Sequence, residues 1–148
     1  MTKAKAVPDT NVLASGLASF RNPASTVAQI LGLWRAGGFT LVTSEYIVTE
    51  LSHTLQSTYF WQRLSPQQIS SAMRLLRSET TITPITAKVH GVATHPEDDV
   101  ILATAVSAKA DYLVTGDTKL QHVGTYQRVT ILSPRRFLAT LEDEVSEE

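Results

Sequence analysis

Residues 4–14 place a strand pattern directly before the start of a helix, in the order Ala4-Lys5-Ala6-Val7-Pro8-Asp9-Thr10-Asn11-Val12-Leu13-Ala14. The strand is expected to end at Pro8, because proline cannot donate a hydrogen bond to a neighbouring strand. Asp9 follows at once, and a short helix begins at Asn11. In open parallel sheets, ligands collect beyond the carboxyl ends of the strands. This junction is therefore the first candidate for a functional site.

The rest of the chain repeats the alternation of short strands and helices. Further strands are predicted over 39–42, 80–84, 112–115 and 129–131, and helices over 23–36, 44–55, 65–76, 98–109 and 134–141. This alternation predicts an α/β protein, a three-layer α/β/α sandwich around a mostly parallel sheet of four to five strands. One domain is expected over residues 1–141. Residues 142–148 are expected to form an acidic, mobile C-terminal tail, because they lack the apolar side chains needed to fold alone.

Composition narrows the function classes. The 148 residues are enough for about one domain, and the absence of cysteine excludes disulfides and thiolate metal sites and suits a reducing cytoplasm. No apolar run is long enough to span a bilayer, so no membrane contact is expected. Five of the fourteen acidic residues lie in the last seven positions, so thirteen Lys and Arg face nine acids in the rest of the chain. That surplus makes a polyanion an acceptable partner.

Several acids fall where strands end or helices begin. Asp117 follows the 112–115 strand as Asp9 follows the first, Asp98 and Asp99 open a helix, and Glu50 borders the apolar stripe of another. Each alone is explained by a turn, a helix cap or a solvated surface. Adjacent helical residues point about 100° apart, so only one of Asp98 and Asp99 can face a given site.

Carboxylates that converge in one cleft repel one another and take up protons unless a cation is bound. Oxygen-only ligands select hard ions such as Mg²⁺ or Mn²⁺. On phosphodiesters these ions activate water and stabilise the leaving oxygen. The acids therefore indicate metal-dependent phosphodiester chemistry.

The order of these segments resembles the PIN-domain family, in particular its single-domain prokaryotic branch of VapC-like toxin ribonucleases. The matching segments are residues 7–13, 44–51, 98–105, 110–117 and 131–138. The resemblance implies Mg²⁺- or Mn²⁺-dependent endonucleolytic cleavage of RNA, frequent homodimers, and often an antitoxin protein encoded alongside.

Position by position, the resemblance makes four acids the catalytic metal site: Asp9, Glu50, Asp99 and Asp117. Asp99 is chosen over Asp98 because the family's acid stands four residues before the small residue occupied here by Ala103. The supporting polar residues that it implies are Thr10, Asn11, Asp98 and Thr115. Relatives often carry an Asp where this chain has His95, a departure that can alter a peripheral water or metal contact.

Two other functions stay open at this point. A phosphatase with Asp9 as nucleophile would resemble the haloacid-dehalogenase pattern, but that pattern has a second Asp where this chain has Asn11. A non-catalytic PIN-fold protein that binds RNA or protein is the other.

Basic and aromatic residues give the candidate RNA contacts. The basic ones are Arg63, Arg74, Arg77 and Lys119, with Arg21 and Arg128 as further candidates. Tyr59-Phe60-Trp61 lies close to Arg63 in sequence and could stack on single-stranded RNA. The same aromatic trio could instead form a core or an interface.

Overall fold

The structure is a computed structural model that describes residues 3–146. The strands are β1 (Lys5–Pro8), β2 (Thr40–Thr43), β3 (Thr81–Ile82), β4 (Tyr112–Val114), β5 (Thr125–Tyr126) and β6 (Val129–Leu132). The helices are α1 (Thr10–Ala18), α2 (Thr26–Arg35), α3 (Glu45–Leu55), α4 (Thr58–Trp61), α5 (Pro66–Glu79), α6 (Pro96–Ser107), α7 (Thr118–Gln121) and α8 (Pro134–Ser146).

The strands form one six-stranded sheet in the order β3-β2-β1-β4-β6-β5. Every neighbouring pair is parallel except β5 and β6, which are antiparallel. The predicted α/β sandwich is confirmed, with β5 as one strand more than the expected four to five. The chain adds β2 and β3 on one side of β1, and then β4, β5 and β6 on the other side. The crevice beyond the carboxyl ends of β1 and β4 is therefore the expected position of a ligand site.

Helices cover both faces of the sheet. The connection from β3 to β4 crosses the sheet in the opposite direction from the connections β1 to β2 and β2 to β3. Because such crossovers are right-handed, α6 lies on the face opposite α1 and α2. It packs against β1, β2 and β4, while α8 packs against α2. The core includes Phe39 and Phe137, whose rings pack edge to face with their centroids 5.1 Å apart.

Local capping chemistry sets the helix starts that position the site. Asp9 caps α1, Ser44 caps α3, and Ser65 with Gln68 forms a reciprocal capping box at α5. The caps at Ser44 and Ser65 confirm the predicted starts of these two helices. The strand-then-cap arrangement of β1 and α1 fixes Asp9 at the carboxyl edge of the sheet.

The last helix extends beyond its predicted end. It runs to Ser146 rather than to Leu141, which is its last core residue. Exposed residues 142–144 of the predicted tail are thus helical, and Glu147 and Glu148 lie outside the described residues. The mobility of residues 142–148 stays a prediction. Within residues 3–146, no helix is long and apolar enough to cross a membrane.

Candidate active site

Asp9 lies at the point where β1 passes into α1. Its Oδ1 accepts a hydrogen bond from the Val12 backbone N–H at 2.9 Å, and its Oδ2 accepts one from the Thr115 hydroxyl at 2.6 Å. The residue is 7% exposed. Burial raises the pKa of Asp9 above its ordinary value, against the two hydrogen bonds, and the charges of Asp117 and Glu50 raise it further. Ionising this carboxyl is therefore costly in the protein without a cation.

Thr115 links Asp9 to Asp117. The buried Thr115 hydroxyl donates to Asp9 and accepts from the Asp117 backbone N–H at 3.1 Å. The Asp117 carboxylate caps α7 by accepting from the Lys119 backbone N–H at 2.9 Å. One hydroxyl thus contacts both the Asp9 carboxylate and the Asp117 backbone, in residues that are 108 positions apart in the sequence.

Glu50 reaches the same region from α3. The Thr10 hydroxyl, in the first turn of α1, donates a short hydrogen bond to Glu50 Oε1. Thr10 and Thr115 thus each donate a hydrogen bond to one of the four expected site acids, and their supporting role stays a prediction. Asn11 lies exposed beside Thr10.

Tyr46 belongs to this site, although the sequence analysis did not select it. Burial is the largest cause that raises the pKa of Tyr46. The charge of Glu50 and a hydrogen bond to Glu50 raise the pKa further, and so do the charges of Glu97 and Asp98. The phenol stays protonated and faces three carboxylates. Its position four residues before Glu50 on one helix was the available sequence signal, because residues at this spacing are neighbours on a helix surface.

Asp98 is electrostatically coupled to the other acids. Burial raises the pKa of Asp98, and the charges of Asp117, Asp9 and Glu97 raise it further, while His95 acts in the opposite direction. Asp98 therefore lies within electrostatic range of Asp117 and Asp9. We call the region beside Asp9, Glu50, Asp98 and Asp117 the acidic cleft. His95 precedes α6 without capping it through its side chain.

Asp99, its neighbour, is engaged elsewhere. Its carboxylate accepts three backbone N–H groups, from Gly91 at 3.0 Å, Val92 at 3.2 Å and Ala93 at 2.7 Å. The residue is 7% exposed and anchors the irregular segment before α6. The sequence placed Asp99 at the metal and Asp98 in a supporting position. The hydrogen bonds and the electrostatic coupling favour the opposite assignment.

Two of the candidate RNA contacts, Arg21 and Arg63, line one cleft. Arg77 pairs with Glu45 at 3.0 Å, and Arg74 and Lys119 are exposed. Arg63 stacks over Tyr59 and lines a cleft that it shares with Arg21. The structure thus brings Arg21, Tyr59 and Arg63 together.

The donor chemistry of the acidic cleft suits a hard divalent cation. Asp9, Glu50, Asp98 and Asp117 offer only oxygen donors. The largest influences on the pKa of Asp9 are burial and hydrogen bonds, and those on the pKa of Asp98 are burial and the charges of neighbouring acids. Among residues 3–146, no three His, Asp or Glu side chains stand close enough together to form a complete metal-binding group. Binding a cation would therefore require some of these side chains to move closer together.

Two of three comparisons with known proteins found similarities. A family model described as PIN domain matches residues 5–119, a span that includes all of these acids. No curated protein matches the chain. A solved structure, VapBC2 from Rickettsia felis bound to a DNA fragment from the promoter, is similar with a TM-score of 0.58 and 17% sequence identity. The match covers 87% of this chain and 98% of the other, and at that identity it shows the likeness of fold alone.

Proposed function

This chain belongs to the PIN-domain family, and from that premise we propose that it is a Mg²⁺- or Mn²⁺-dependent endoribonuclease that hydrolyses RNA phosphodiester bonds. The observation that carries the proposal is the acidic cleft at the carboxyl edge of β1 and β4, where burial and mutual repulsion raise the pKa of both Asp9 and Asp98. A divalent cation among these carboxylates would offset the repulsion, because opposite charge favours the ionised form.

Asp9, Glu50, Asp98 and Asp117 are assigned as the residues that would hold the cation. Bound there, a divalent cation supplies activation of water and stabilisation of charge on the phosphate oxygens. Thr115 and the Val12 N–H hold the Asp9 carboxylate in one orientation. Thr10 does the same for Glu50, and Tyr46 keeps a proton that it can donate to Glu50.

Asp99 is assigned a positioning role in place of the metal-binding role that the sequence suggested. Three N–H groups saturate its carboxylate, and turning it toward the cleft would leave those donors unpaired. By anchoring residues 91–93 it orients the start of α6, on which Asp98 lies.

The biological setting is proposed from the family. We assign the chain as the toxin of a toxin–antitoxin pair that works in the cytoplasm, with a cognate antitoxin protein as partner and a homodimer as the active form. Trp61 is 53% exposed and lines a cleft with Ile69 and Met73, which gives the dimer a candidate contact surface. Light scattering at micromolar concentration tests the dimer, and a monomer there would contradict it.

A cleavage assay with two substrates tests the activity. The protein is incubated with a mixture of single-stranded RNAs and, separately, with p-nitrophenyl phosphate, each with Mn²⁺ and with excess EDTA. We expect RNA cleavage with Mn²⁺, its loss with EDTA, and no hydrolysis of the phosphate monoester. RNA cleavage that survives complete chelation would refute the metal-dependent mechanism. Monoester hydrolysis without RNA cleavage would favour a phosphatase.

A further inference from the structure

A second cleft, of about 260 Å³, lies between the C-terminal end of α1 and the short helix α4. Its lining combines cationic, aromatic and small polar groups: Arg21, Asn22, Tyr59, Arg63, Ser15 and Ser19. We call it the basic cleft. Pockets that bury drug-sized ligands measure about 300–1,000 Å³, so the basic cleft suits about one unit of an extended polymer rather than a whole small molecule.

Arg63 is held in place over an aromatic ring. Its guanidinium carbon lies 3.6 Å from the centroid of the Tyr59 ring, and its Nη1 donates to the Tyr59 carbonyl oxygen at 2.7 Å. Tyr59 is 56% exposed. The guanidinium and the exposed part of the ring together form a stacking platform, because RNA bases stack on both tyrosine rings and arginine planes.

The positive charge of the basic cleft is not neutralised from within the described chain. The ion pair found among residues 3–144 joins Arg77 to Glu45, and no carboxylate of that range lies within ion-pairing distance of Arg21 or Arg63. The guanidinium fork matches phosphate oxygens with two parallel hydrogen bonds. A phosphate group is therefore a better occupant than an apolar or cationic partner surface.

Helix α1 connects the basic cleft to the acidic cleft. Asp9 and Thr10 stand at its start, and Ser19 and Arg21 follow its end. Its exposed positions Asn11 and Ser15 are four residues apart and lie on one face. Nine residues of helix span about 13 Å, or about four nucleotides at the ~3.4 Å spacing of a stacked strand.

We propose that Arg21, Tyr59 and Arg63 form a subsite that binds the RNA strand about four nucleotides from the bond that is cut. The two arginines hold backbone phosphates, and a base stacks on the platform of Tyr59 and Arg63. The strand runs along the exposed face of α1 toward the acidic cleft. This inference rests on the proposed ribonuclease function, and it assigns where on the protein the substrate is held.

Binding without metal separates this subsite from catalysis. Fluorescence anisotropy of a labelled single-stranded RNA is measured in EDTA over a range of salt concentrations, for the wild type, R21Q/R63Q and the control R136Q. Arg136 is an exposed arginine on α8, outside both clefts. Each phosphate contact contributes about 0.7 to the slope of log affinity against log salt on a single strand. The double variant should therefore lose about 1.4 from the slope, and R136Q should match the wild type.

Tyr59→Leu tests the stacking part with the charges intact. Its RNA affinity should fall by roughly fivefold or more, with the salt slope unchanged, because stacking on an aromatic ring contributes at least ~1 kcal/mol per base. In the Mn²⁺ cleavage assay, R21Q/R63Q should raise KM and leave kcat unchanged, as expected when binding outside the reacting atoms is lost. Thermal denaturation of each variant verifies folding.

Two outcomes would overturn the subsite. One is that R21Q/R63Q and R136Q have equal RNA affinity and equal salt slope. This outcome would overturn the subsite even if the double variant had lost binding to an antitoxin. The other is a wild type that binds no RNA in EDTA. In either case, metal-dependent RNA cleavage by the wild type would leave the proposed activity standing, so the two failures are distinguishable.

Discussion

The adjacent acids at the start of α6 make opposite predictions for activity and stability. Asp98→Asn should abolish metal-dependent cleavage and leave the fold intact. Asp99→Asn should destabilise the protein and retain part of the activity. The two substitutions remove the same charge from neighbouring positions of one helix turn, so each is the matched control for the other.

The size of the Asp99 effect follows from its three hydrogen bonds. An asparagine oxygen in the position of Oδ1 still accepts from Val92 and Ala93, but its NH₂ group meets the Gly91 N–H. The hydrogen bond from Gly91 is lost. The other two hydrogen bonds remain, but their acceptor changes from charged to neutral. A hydrogen bond to a charged acceptor contributes about 1.5–3 kcal/mol, and one to a neutral acceptor contributes about 0.5–1.5 kcal/mol. A loss of about 3.5–6 kcal/mol in the free energy of unfolding is expected, or a fall in Tm of roughly 7–24 °C at this chain length.

Asp98→Asn has no such cost. Because burial and the charges of Asp117 and Asp9 raise the pKa of Asp98, its ionised form is unfavourable in the metal-free fold. Removing that charge should leave Tm unchanged or higher. Loss of a direct metal ligand should lower the cleavage rate by more than ~10–100-fold, which is the loss expected for a residue such as Asp99 that only positions the ligands.

The assays are thermal denaturation followed by circular dichroism, metal binding by calorimetry, and single-turnover RNA cleavage at saturating Mn²⁺ below the Tm of both variants. The reasoning is refuted if Asp99→Asn melts like the wild type and is inactive while Asp98→Asn cleaves RNA normally.

Four further predictions concern stability. The pKa of Asp9 is raised above the ordinary value of 3.8. Between these two pKa values, the folded metal-free protein therefore binds more protons than the unfolded chain. The Asp9 contribution to the free energy of unfolding should decrease as pH rises through that window. Melting curves against pH should show this decrease in EDTA but not for Asp9→Asn. Thr43→Val should raise Tm by about 2–4 °C, since the buried Thr43 hydroxyl has no hydrogen-bond partner among the described residues and an unpaired buried polar group costs about 1 kcal/mol or more; a lower Tm would contradict this. Replacing Gln127 by Asn and Arg128 by Gly should stabilise by about 1–2 kcal/mol in a denaturant titration, because both residues have positive φ, 44° and 71°. Deleting residues 142–148 should change Tm by less than about 3 °C, because the last core side chain of α8 is Leu141; a larger fall would show that the tail is docked.

Local patterns in the sequence were sufficient for most of the fold. Strand–helix alternation predicts a mostly parallel sheet because parallel strands need helical crossovers. The Ser44 and Ser65 caps are recognisable because the side chain, the backbone N–H and the following residues lie within one helical turn. Strand β5 was not predicted because its local sequence lacks such a pattern. Its two-residue turn contains Gln127 and Arg128 in place of the Asn-Gly that marks such hairpins.

The sequence alone also determined that Asp9 and Asp117 share one edge of the sheet, because each comes within three residues of the end of a strand and parallel strands end at the same edge. Only the tertiary structure decided what each acid contacts. Thr115 reaches Asp9 across 106 positions, and Thr10 reaches Glu50 across 40. The direction of Asp98 and Asp99 depends on where α6 begins and on the N–H groups of residues 91–93. Side-chain direction on a helix changes by about 100° with each residue, so a shift of one position exchanges the acid that faces the cleft with the acid that anchors the preceding segment.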